Sequence, residues 1–461
     1  MKAPRMILFL SDQHRADVLG CAGDPRARTP HLDRLADQGT RFSNAFCNSP
    51  VCGPSRMSML TGLLPTTNGV LTNRHALPSN IPTIAHVMAA AGYDTVLCGR
   101  MHFIGPDQRH GFQERLVGDI GPADAAFREL DLGPYTGFTG QGREMLKVSG
   151  PGSGPSALYD REVVDAALER LAAQPEDRPL FLVVGTHAPH NPYVCSKDLY
   201  DFYYEHLPPP DMKAIREFHA GTSPAIRSWW TSRNMEAVTS EEIRRSRAAY
   251  YGMVEEMDLQ VGRLLEKVDP ARDLFLYTSD HGDMAGEHGM FWKSCFLDGA
   301  VKVPMIWRGP DVECGRDVSE PVSLLDLAPT FAAAAEADGL YGAEGDSLLQ
   351  TLRGGPTPKN RMIEIMLLDA RSGPSHMMRT ETGSRVHHSR FPDEVVGVDP
   401  GPPKGWNDAE MERVLEEVSH RGPVLREAAL RSGESLGERW RVDPGRLKQE
   451  RIQGSIDRRT R

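Results

Sequence analysis

Long hydrophobic runs are missing from this 461-residue sequence. No stretch approaches the ~20 apolar residues that a membrane-spanning helix needs, so we do not expect a membrane protein. The N-terminus holds one short apolar run at residues 6–10, which is shorter than the roughly 7–15 apolar residues of a secretory signal. We therefore expect this run to form a buried strand and the protein to be cytoplasmic.

Cysteine is scarce, and basic residues are in the minority. The 7 cysteines are an odd number without C-x-x-C spacing, which argues against a disulfide framework and a cysteine zinc site. Lysine and arginine number 53 against 63 acidic residues, for a net charge of −10. This negative field argues against binding to nucleic acid or anionic membranes. The Arg-rich tail at residues 439–461 has no interleaved aromatic residue beyond Trp440, so it does not change that expectation.

The sequence does contain a regular alternation of apolar strands and amphipathic helical patterns. Apolar runs end near residues 12, 98, 186, 280 and 308, and helical patterns lie between them. This alternation favours a three-layer α/β/α fold with a mixed, mainly parallel sheet. The pattern weakens after about residue 340. We therefore expect a catalytic domain over residues 1–340 and a smaller α+β subdomain with the Arg-rich tail over residues 341–461.

The most informative segment is the pattern C-x-P-S-R-x-x-x-L-T-G at residues 52–62. A helix that begins near Pro54 would direct free backbone N–H groups towards an anion. Arg56 would add a fixed cation whose paired donors suit a tetrahedral oxyanion. The segment therefore predicts an anion site with Cys52 at its edge.

Two pairs of polar residues follow predicted buried strands. Asp12 and Gln13 come after the first strand, and Asp280 and His281 come after the strand at residues 273–280. Because ligands of open α/β sheets bind at the carboxyl ends of the strands, both pairs can face one crevice. An oxygen-rich donor set suits calcium, whereas the imidazole of His281 also admits manganese.

Taken together, these motifs resemble the formylglycine-dependent sulfatases of the alkaline phosphatase superfamily, over about residues 5–335. The resemblance implies that a formylglycine-generating enzyme oxidises Cys52 to an aldehyde, whose hydrate attacks the sulfur of a sulfate monoester. It also implies one divalent cation, with calcium expected and manganese as the alternative. The implied ligands are Asp12, Gln13, Cys52, Asp280 and His281.

Other segments resemble further parts of the same family. The segment G-R-M-H at residues 99–102 is similar to the family's G-K-x-H, with Arg100 in place of lysine to hold charge near the sulfate. The resemblance implies that His102 is the base for sulfate release. It also implies that His190 and Lys293 bind sulfate and help to protonate the leaving alcohol. Asn73 matches an asparagine near the sulfate.

Gln13 and His281 stand where most sulfatases have aspartate and asparagine, which resembles the choline-sulfatase and phosphonate monoester hydrolase branch. Choline selectivity needs an aromatic cage, and Phe127 lies where such proteins carry tryptophan. We expect a small sulfated substrate and leave the alcohol or amine open. Phosphonate monoester or phosphodiester hydrolysis on the same scaffold is the alternative, and a catalytically silent binding protein is a further one. The resemblance also implies a homo-oligomer.

Overall fold

The structure, a computed structural model, describes residues 4–119, 140–359, 361–369, 373–401, 407–409 and 411–414. Its strands are β1 (Arg5–Asp12), β2 (Thr40–Phe42), β3 (Ala45–Phe46), β4 (Asp94–Gly99), β5 (Glu114–Val117), β6 (Gly150–Pro151), β7 (Leu180–Pro189), β8 (Val194–Cys195), β9 (Asp273–Ser279), β10 (Lys302–Val303), β11 (Met305–Arg308), β12 (Arg316–Val318), β13 (Val322–Ser323), β14 (Ile363–Asp369), β15 (Gly373–Arg379), β16 (Gly383–His388) and β17 (Glu394–Gly397). Its helices are α1 (Pro30–Asp37), α2 (Cys52–Thr61), α3 (Pro65–Asn68), α4 (Ile84–Ala90), α5 (Glu144–Lys147), α6 (Pro155–Ala172), α7 (Lys197–His206), α8 (Met212–Gly221), α9 (Pro224–Ser232), α10 (Ser240–Leu265), α11 (Asp298–Val301), α12 (Leu327–Ala334) and α13 (Leu349–Leu352).

Eight strands form the central sheet, in the order β12-β2-β11-β9-β1-β7-β4-β5. Neighbouring strands run parallel, except that β11 is antiparallel to both β9 and β2. This arrangement confirms the predicted mixed, mainly parallel sheet. A separate antiparallel sheet, β14-β15-β16-β17, forms the C-terminal subdomain.

The central strands are apolar along their length because helices cover both faces of the sheet. In β1, Ile7 and Phe9 belong to the core that contains residues of α1, α6 and α10. Met6, Leu8 and Leu10 belong to the core on the opposite face, with residues of α2, α4 and α12. Alternate residues of a strand point to opposite faces, so a run without polar interruption is what a sheet covered on both sides requires.

One local feature differs from the expectation. Helix α2 begins at Cys52, two residues before Pro54, because the Ser55 N–H already donates to the carbonyl of Val51 at 3.1 Å. Proline is tolerated in this first turn, where its missing N–H needs no helical partner. None of the helices in the described part of the chain has the length and apolar character of a membrane span.

Candidate active site

Four adjacent parallel strands deliver polar residues to one edge of the sheet. In the order β9, β1, β7 and β4, the residues at or just after the strand ends are Asp280, Asp12, His190 and Arg100. Ser11 and Ser279 are paired in the register of β1 and β9, which places Asp12 and Asp280 side by side. The carboxyl edge of the sheet therefore brings together the two acidic positions that are 268 residues apart in the sequence.

A cluster of candidate metal ligands lies at this edge. Ligand atoms of Asp12, Cys52, Asp280 and His281 all lie within 4.8 Å of one another, and the four side chains are buried. His281 Nδ1 lies 2.9 Å from the carbonyl oxygen of Gly282, which can only accept, so the proton is on Nδ1. His281 Nε2, the ring nitrogen left for a cation, therefore faces Cys52 Sγ at 3.2 Å. Two carboxylates and an imidazole whose Nε2 faces inward form a donor set that fits a divalent cation.

Lys293 connects the predicted ligand Gln13 to this cluster. Lys293 Nζ donates to Gln13 Oε1 at 2.5 Å and to Cys52 Sγ at 3.1 Å. The backbone N–H of Gln13 donates to Asp280 Oδ1 at 3.0 Å. All five residues predicted to hold the metal are therefore gathered around one point.

The two arginines of the site hold the carboxylates. Arg56 Nε donates to Asp280 Oδ2 at 2.8 Å, and its Nη2 donates to Asp12 Oδ2 at 3.0 Å. Arg100 Nε donates to the same oxygen of Asp12. Burial alone would raise the pKa of Asp12, but the guanidinium groups of Arg100 and Arg56 hold it well below its usual range. Asp12 is therefore ionised, and its Oδ1 is left facing Cys52 Sγ at 3.8 Å.

Arg56 differs from its predicted role of direct contact with a substrate anion. Its remaining nitrogen, Nη1, donates to the carbonyl of Arg100 at 2.8 Å, and its side chain is fully buried. Each of its three nitrogens thus bonds to a protein oxygen, because two neighbouring buried carboxylates need a compensating cation. Arg56 therefore acts from beneath the site rather than on its surface.

The start of α2 also differs in detail from the expectation of free N–H groups. Asn73 Oδ1 accepts a hydrogen bond from the N–H of Gly53 at 2.7 Å, and Pro54 has no N–H to offer. Cys52 is the first residue of the helix. Burial and Asp12 oppose ionisation of its thiol, but Lys293 and His281 outweigh them, so the pKa of Cys52 is lower than usual. The anion preference of this position thus comes from Lys293 and the helix dipole.

The two candidate catalytic histidines are neutral but carry their protons on different nitrogens. Burial, with Arg100, lowers the pKa of His102 to about 3. Burial, with Lys293, lowers the pKa of His190 well below its usual range. Arg100 Nη2 lies 3.2 Å from His102 Nδ1 and can only donate, so the proton of His102 is on Nε2. His190 Nδ1 lies 2.6 Å from the carbonyl of Asn191, so its proton is on Nδ1 and its Nε2 is an acceptor.

Sequence reasoning missed two buried carboxylates beside the predicted residues. Asp119 accepts the backbone N–H groups of Met101 and His102 at 2.7 and 3.1 Å, which fixes the chain that carries His102. Asp283 contacts Gln13. The only sequence signal for Asp283 was its place in the segment D-H-G-D. The predicted substrate contact Phe127 lies outside the described residues.

Comparison with known proteins then decides the family. The sulfatase family, described simply as "Sulfatase", matches residues 4–337. The chain belongs to the sulfatase family. This membership confirms the class predicted from the sequence, a sulfuric ester hydrolase of the alkaline phosphatase superfamily.

The chain is similar both to named sulfatases and to proteins of solved structure. A choline-sulfatase of Rhizobium meliloti is 35% identical over 71% of this chain and 67% of its own length. An arylsulfatase of Clostridium perfringens is 29% identical over 71% of this chain and 74% of its own length. The structure of a phosphonate monoester hydrolase from Silicibacter pomeroyi shares the fold at a TM-score of 0.70 and 23% identity, covering 91% of this chain and 95% of that one.

Proposed function

We propose that this sulfatase hydrolyses a small sulfate monoester at Cys52. The observation that carries the proposal is the setting of the Cys52 side chain. Its Sγ lies at the first turn of α2, 3.1 Å from Lys293 Nζ and 3.2 Å from His281 Nε2. A buried nucleophile position flanked by a cation and by metal-ligating groups suits attack on an anionic ester.

Two additions to the chain are part of the proposal. Formylglycine at Cys52, made by a formylglycine-generating enzyme, supplies a geminal diol whose second hydroxyl lets the sulfate leave. A divalent cation held by Asp12, Gln13, Cys52, Asp280 and His281 supplies polarisation and neutralises anionic charge. The carboxylate and amide oxygens of this set favour calcium, and the imidazole of His281 makes manganese the alternative.

The side chains of the protein divide the proton transfers among them. Lys293 carries protons on Nζ and can donate one to the oxygen of the leaving alcohol. His102 presents Nε2–H, which donates a hydrogen bond to an anionic oxygen. His190 presents the lone pair of Nε2 and accepts a proton. The hydrogen bonds of Arg100 and Asn191 thus support an exchange of the roles that the family resemblance implied for the two histidines.

Phosphonate monoester hydrolysis is the second candidate function. Gln13 and His281 are the residues that resemble that branch, and two phosphonate monoester hydrolases share the fold at TM-scores of 0.68 and 0.70. The anion in that reaction is also tetrahedral, so the same cations can hold it.

The test is the ratio of kcat/KM values for an aryl sulfate and an aryl phosphonate monoester, with Cys52→Ala as the control. We expect the sulfate ester to be the better substrate and the variant to be inactive on both. A ratio in favour of the phosphonate would support the second candidate. Absence of turnover on either ester, in protein that carries formylglycine and a divalent cation, would favour a silent binding protein.

A further inference from the structure

Asp283 lies directly behind Gln13 and is fully buried. Its Oδ2 accepts hydrogen bonds from Gln13 Nε2 at 2.5 Å and from the hydroxyl of Tyr193 at 2.6 Å. Its Oδ1 accepts the backbone N–H groups of Ala285 at 2.6 Å and Trp292 at 2.9 Å. Four donors therefore converge on one carboxylate that is not among the predicted ligands.

The contact with Asp283 decides which way the Gln13 amide points. A side-chain amide has one end that donates and one end that accepts. The carboxylate of Asp283 accepts hydrogen bonds from all its partners, so the end of Gln13 that turns towards it is the NH₂ end. The oxygen end then faces Lys293, whose Nζ donates to Gln13 Oε1 at 2.5 Å.

The other oxygen of Asp283 fixes the chain that carries Lys293. It bonds to the N–H of Trp292, the residue immediately before Lys293, which adopts a left-handed φ of 63°. Left-handed backbone is unfavourable for a residue with a bulky side chain, so this bond stabilises a strained position. One carboxylate thus positions both the amide oxygen of Gln13 and the backbone next to Lys293.

We propose that Asp283 is a positioning residue that selects the oxygen end of Gln13 for the divalent cation. The inference rests on the proposed function, because the orientation of Gln13 matters only if the site holds a cation. Without the acceptor at position 283, the amide can turn over and present its NH₂ group to the cation and to Lys293. Partners of this kind behind a metal ligand typically change metal affinity by about 10- to 100-fold.

An exchange of the two side chains tests the proposal. In Asp283→Asn, the oxygen of the introduced asparagine can still accept the backbone N–H groups, but its NH₂ group faces Gln13 and favours the reversed amide. Adding Gln13→Glu restores an acceptor opposite that NH₂ group and again presents an oxygen to the cation. The control is Tyr193→Phe, which removes another donor to the same oxygen of Asp283 and leaves the Gln13 contact in place.

The measurement is calcium and manganese affinity by titration calorimetry on chelator-treated protein, with thermal melting to report folding. We expect Asp283→Asn to weaken cation binding by about 10-fold or more, Tyr193→Phe to leave it nearly unchanged, and the double variant to recover most of the loss. If Asp283→Asn alone does not fold, the affinity of the folded double variant still decides, because the proposal requires it to be near that of the wild type.

Failure of the proposed function and failure of the role of Asp283 would give different results in these experiments. A wild-type protein that binds neither cation contradicts the proposed function. A wild type that binds a cation, together with an Asp283→Asn variant of equal affinity or a double variant without recovery, overturns the role of Asp283 alone.

Discussion

At the scale of single residues, the site is an arrangement of compensated buried charges. Asp12 and Asp280 lie side by side at 0% exposure, and Arg56 lies between them with contacts to both. Burying two carboxylates without such a partner would be costly, and removal of one member of a buried pair typically costs about 3–5 kcal/mol. The pattern at residues 52–62 therefore encodes both the proposed nucleophile position and the cation that compensates the two candidate metal-binding carboxylates.

Cys52→Ala tests the nucleophile. We expect kcat/KM for an aryl sulfate to fall by at least about 10³-fold, because the variant has no group that can become formylglycine. The fold should persist, since the change removes one small buried atom and adds no polar group. Steady-state kinetics and circular dichroism check both parts, and a wild-type rate in this variant is incompatible with the mechanism.

His102→Gln and His102→Ala separate a hydrogen-bond donor from a base. If His102 acts as a donor through Nε2–H, glutamine can replace part of that function and should retain about tenfold more activity than alanine. If His102 must accept a proton, both variants should lose activity equally, because an amide is not a base. Single-turnover kinetics on the two variants gives the comparison, and equal losses would return the base role to His102.

At the scale of elements, the site depends on close contact between neighbouring strand ends. A Cβ on Gly185 of β7 would lie 2.0 Å from the carbonyl oxygen of Arg100, which follows β4. The Arg100 N–H in turn donates to the carbonyl of Gly185 at 2.8 Å. The absence of a side chain at this position therefore lets the chain of Arg100 lie close to β7.

Gly185→Ala tests this packing. We expect a loss of stability of more than about 2 kcal/mol, because backbone must shift to admit the methyl group, and a fall in activity because Arg100 moves with it. Gly221→Ala in α8 is the matched control, since nothing lies within 4 Å of a Cβ there. Denaturant unfolding of both variants makes the comparison, and equal stabilities would show that the strand ends can relax apart.

Asp258 in α10 gives a pH-dependent contribution to stability. It accepts the backbone N–H groups of His31 and Leu32 at 3.1 and 2.9 Å, at the start of α1, and burial raises its pKa to about 7. In the unfolded chain an aspartate has a pKa of about 4. The folded protein therefore keeps a proton that the unfolded chain has lost, so this contribution is complete below about pH 4 and disappears as the pH rises through about 7.

Asp258→Asn removes this titration and leaves the rest of the helix pair in place. Between pH 5 and pH 8 we expect the wild type to lose on the order of 2–4 kcal/mol more stability than the variant. Chemical denaturation at the two pH values measures the difference. An equal decline in both proteins would show that Asp258 is ionised throughout.

The strand ends also show how far the sequence predicts the site. The convergence of Asp12 and Asp280 was predictable, because the residues that follow parallel buried strands meet at one edge of the sheet. The inward direction of Arg56, the tautomers of His102 and His190 and the support from Asp283 were not. The direction of Arg56 and the support from Asp283 depend on hydrogen bonds between residues far apart in sequence, such as the 270 positions that separate Gln13 from Asp283, and local pattern does not encode such pairs. The two tautomers depend on bonds to the near neighbours Arg100 and Asn191, whose orientation only the folded chain sets.

At the scale of the whole molecule, the small C-terminal sheet is attached to the loop that precedes Cys52. The N–H of Met366 in β14 donates to the carbonyl of Asn48 at 2.9 Å, and Asn48 Nδ2 donates to the carbonyl of Glu364 at 2.9 Å. The weakening of the pattern after about residue 340 indicated a separate unit. The hydrogen bonds that join this sheet to the loop before Cys52 could not be predicted from the sequence and are visible only in the structure.

Removal of the metal tests how the site contributes to the stability of the whole protein. Because Arg56 and Arg100 already compensate the carboxylates, we expect the chelator-treated protein to fold but to be inactive and less stable. A cation present at ~100 times its dissociation constant stabilises the folded state by about 2.7 kcal/mol. Thermal melting and activity, with calcium or manganese added back, measure this effect. Full activity in excess chelator would contradict a metal-dependent reaction.

The most direct test of the account is the mass of the peptide that contains Cys52. The protein should be produced in cells whose formylglycine-generating enzyme demonstrably modifies another sulfatase. We predict a loss of about 18 Da relative to the thiol form, as conversion of CH₂–SH to an aldehyde requires. An unmodified thiol in that setting would contradict the proposal that Cys52 provides the nucleophile.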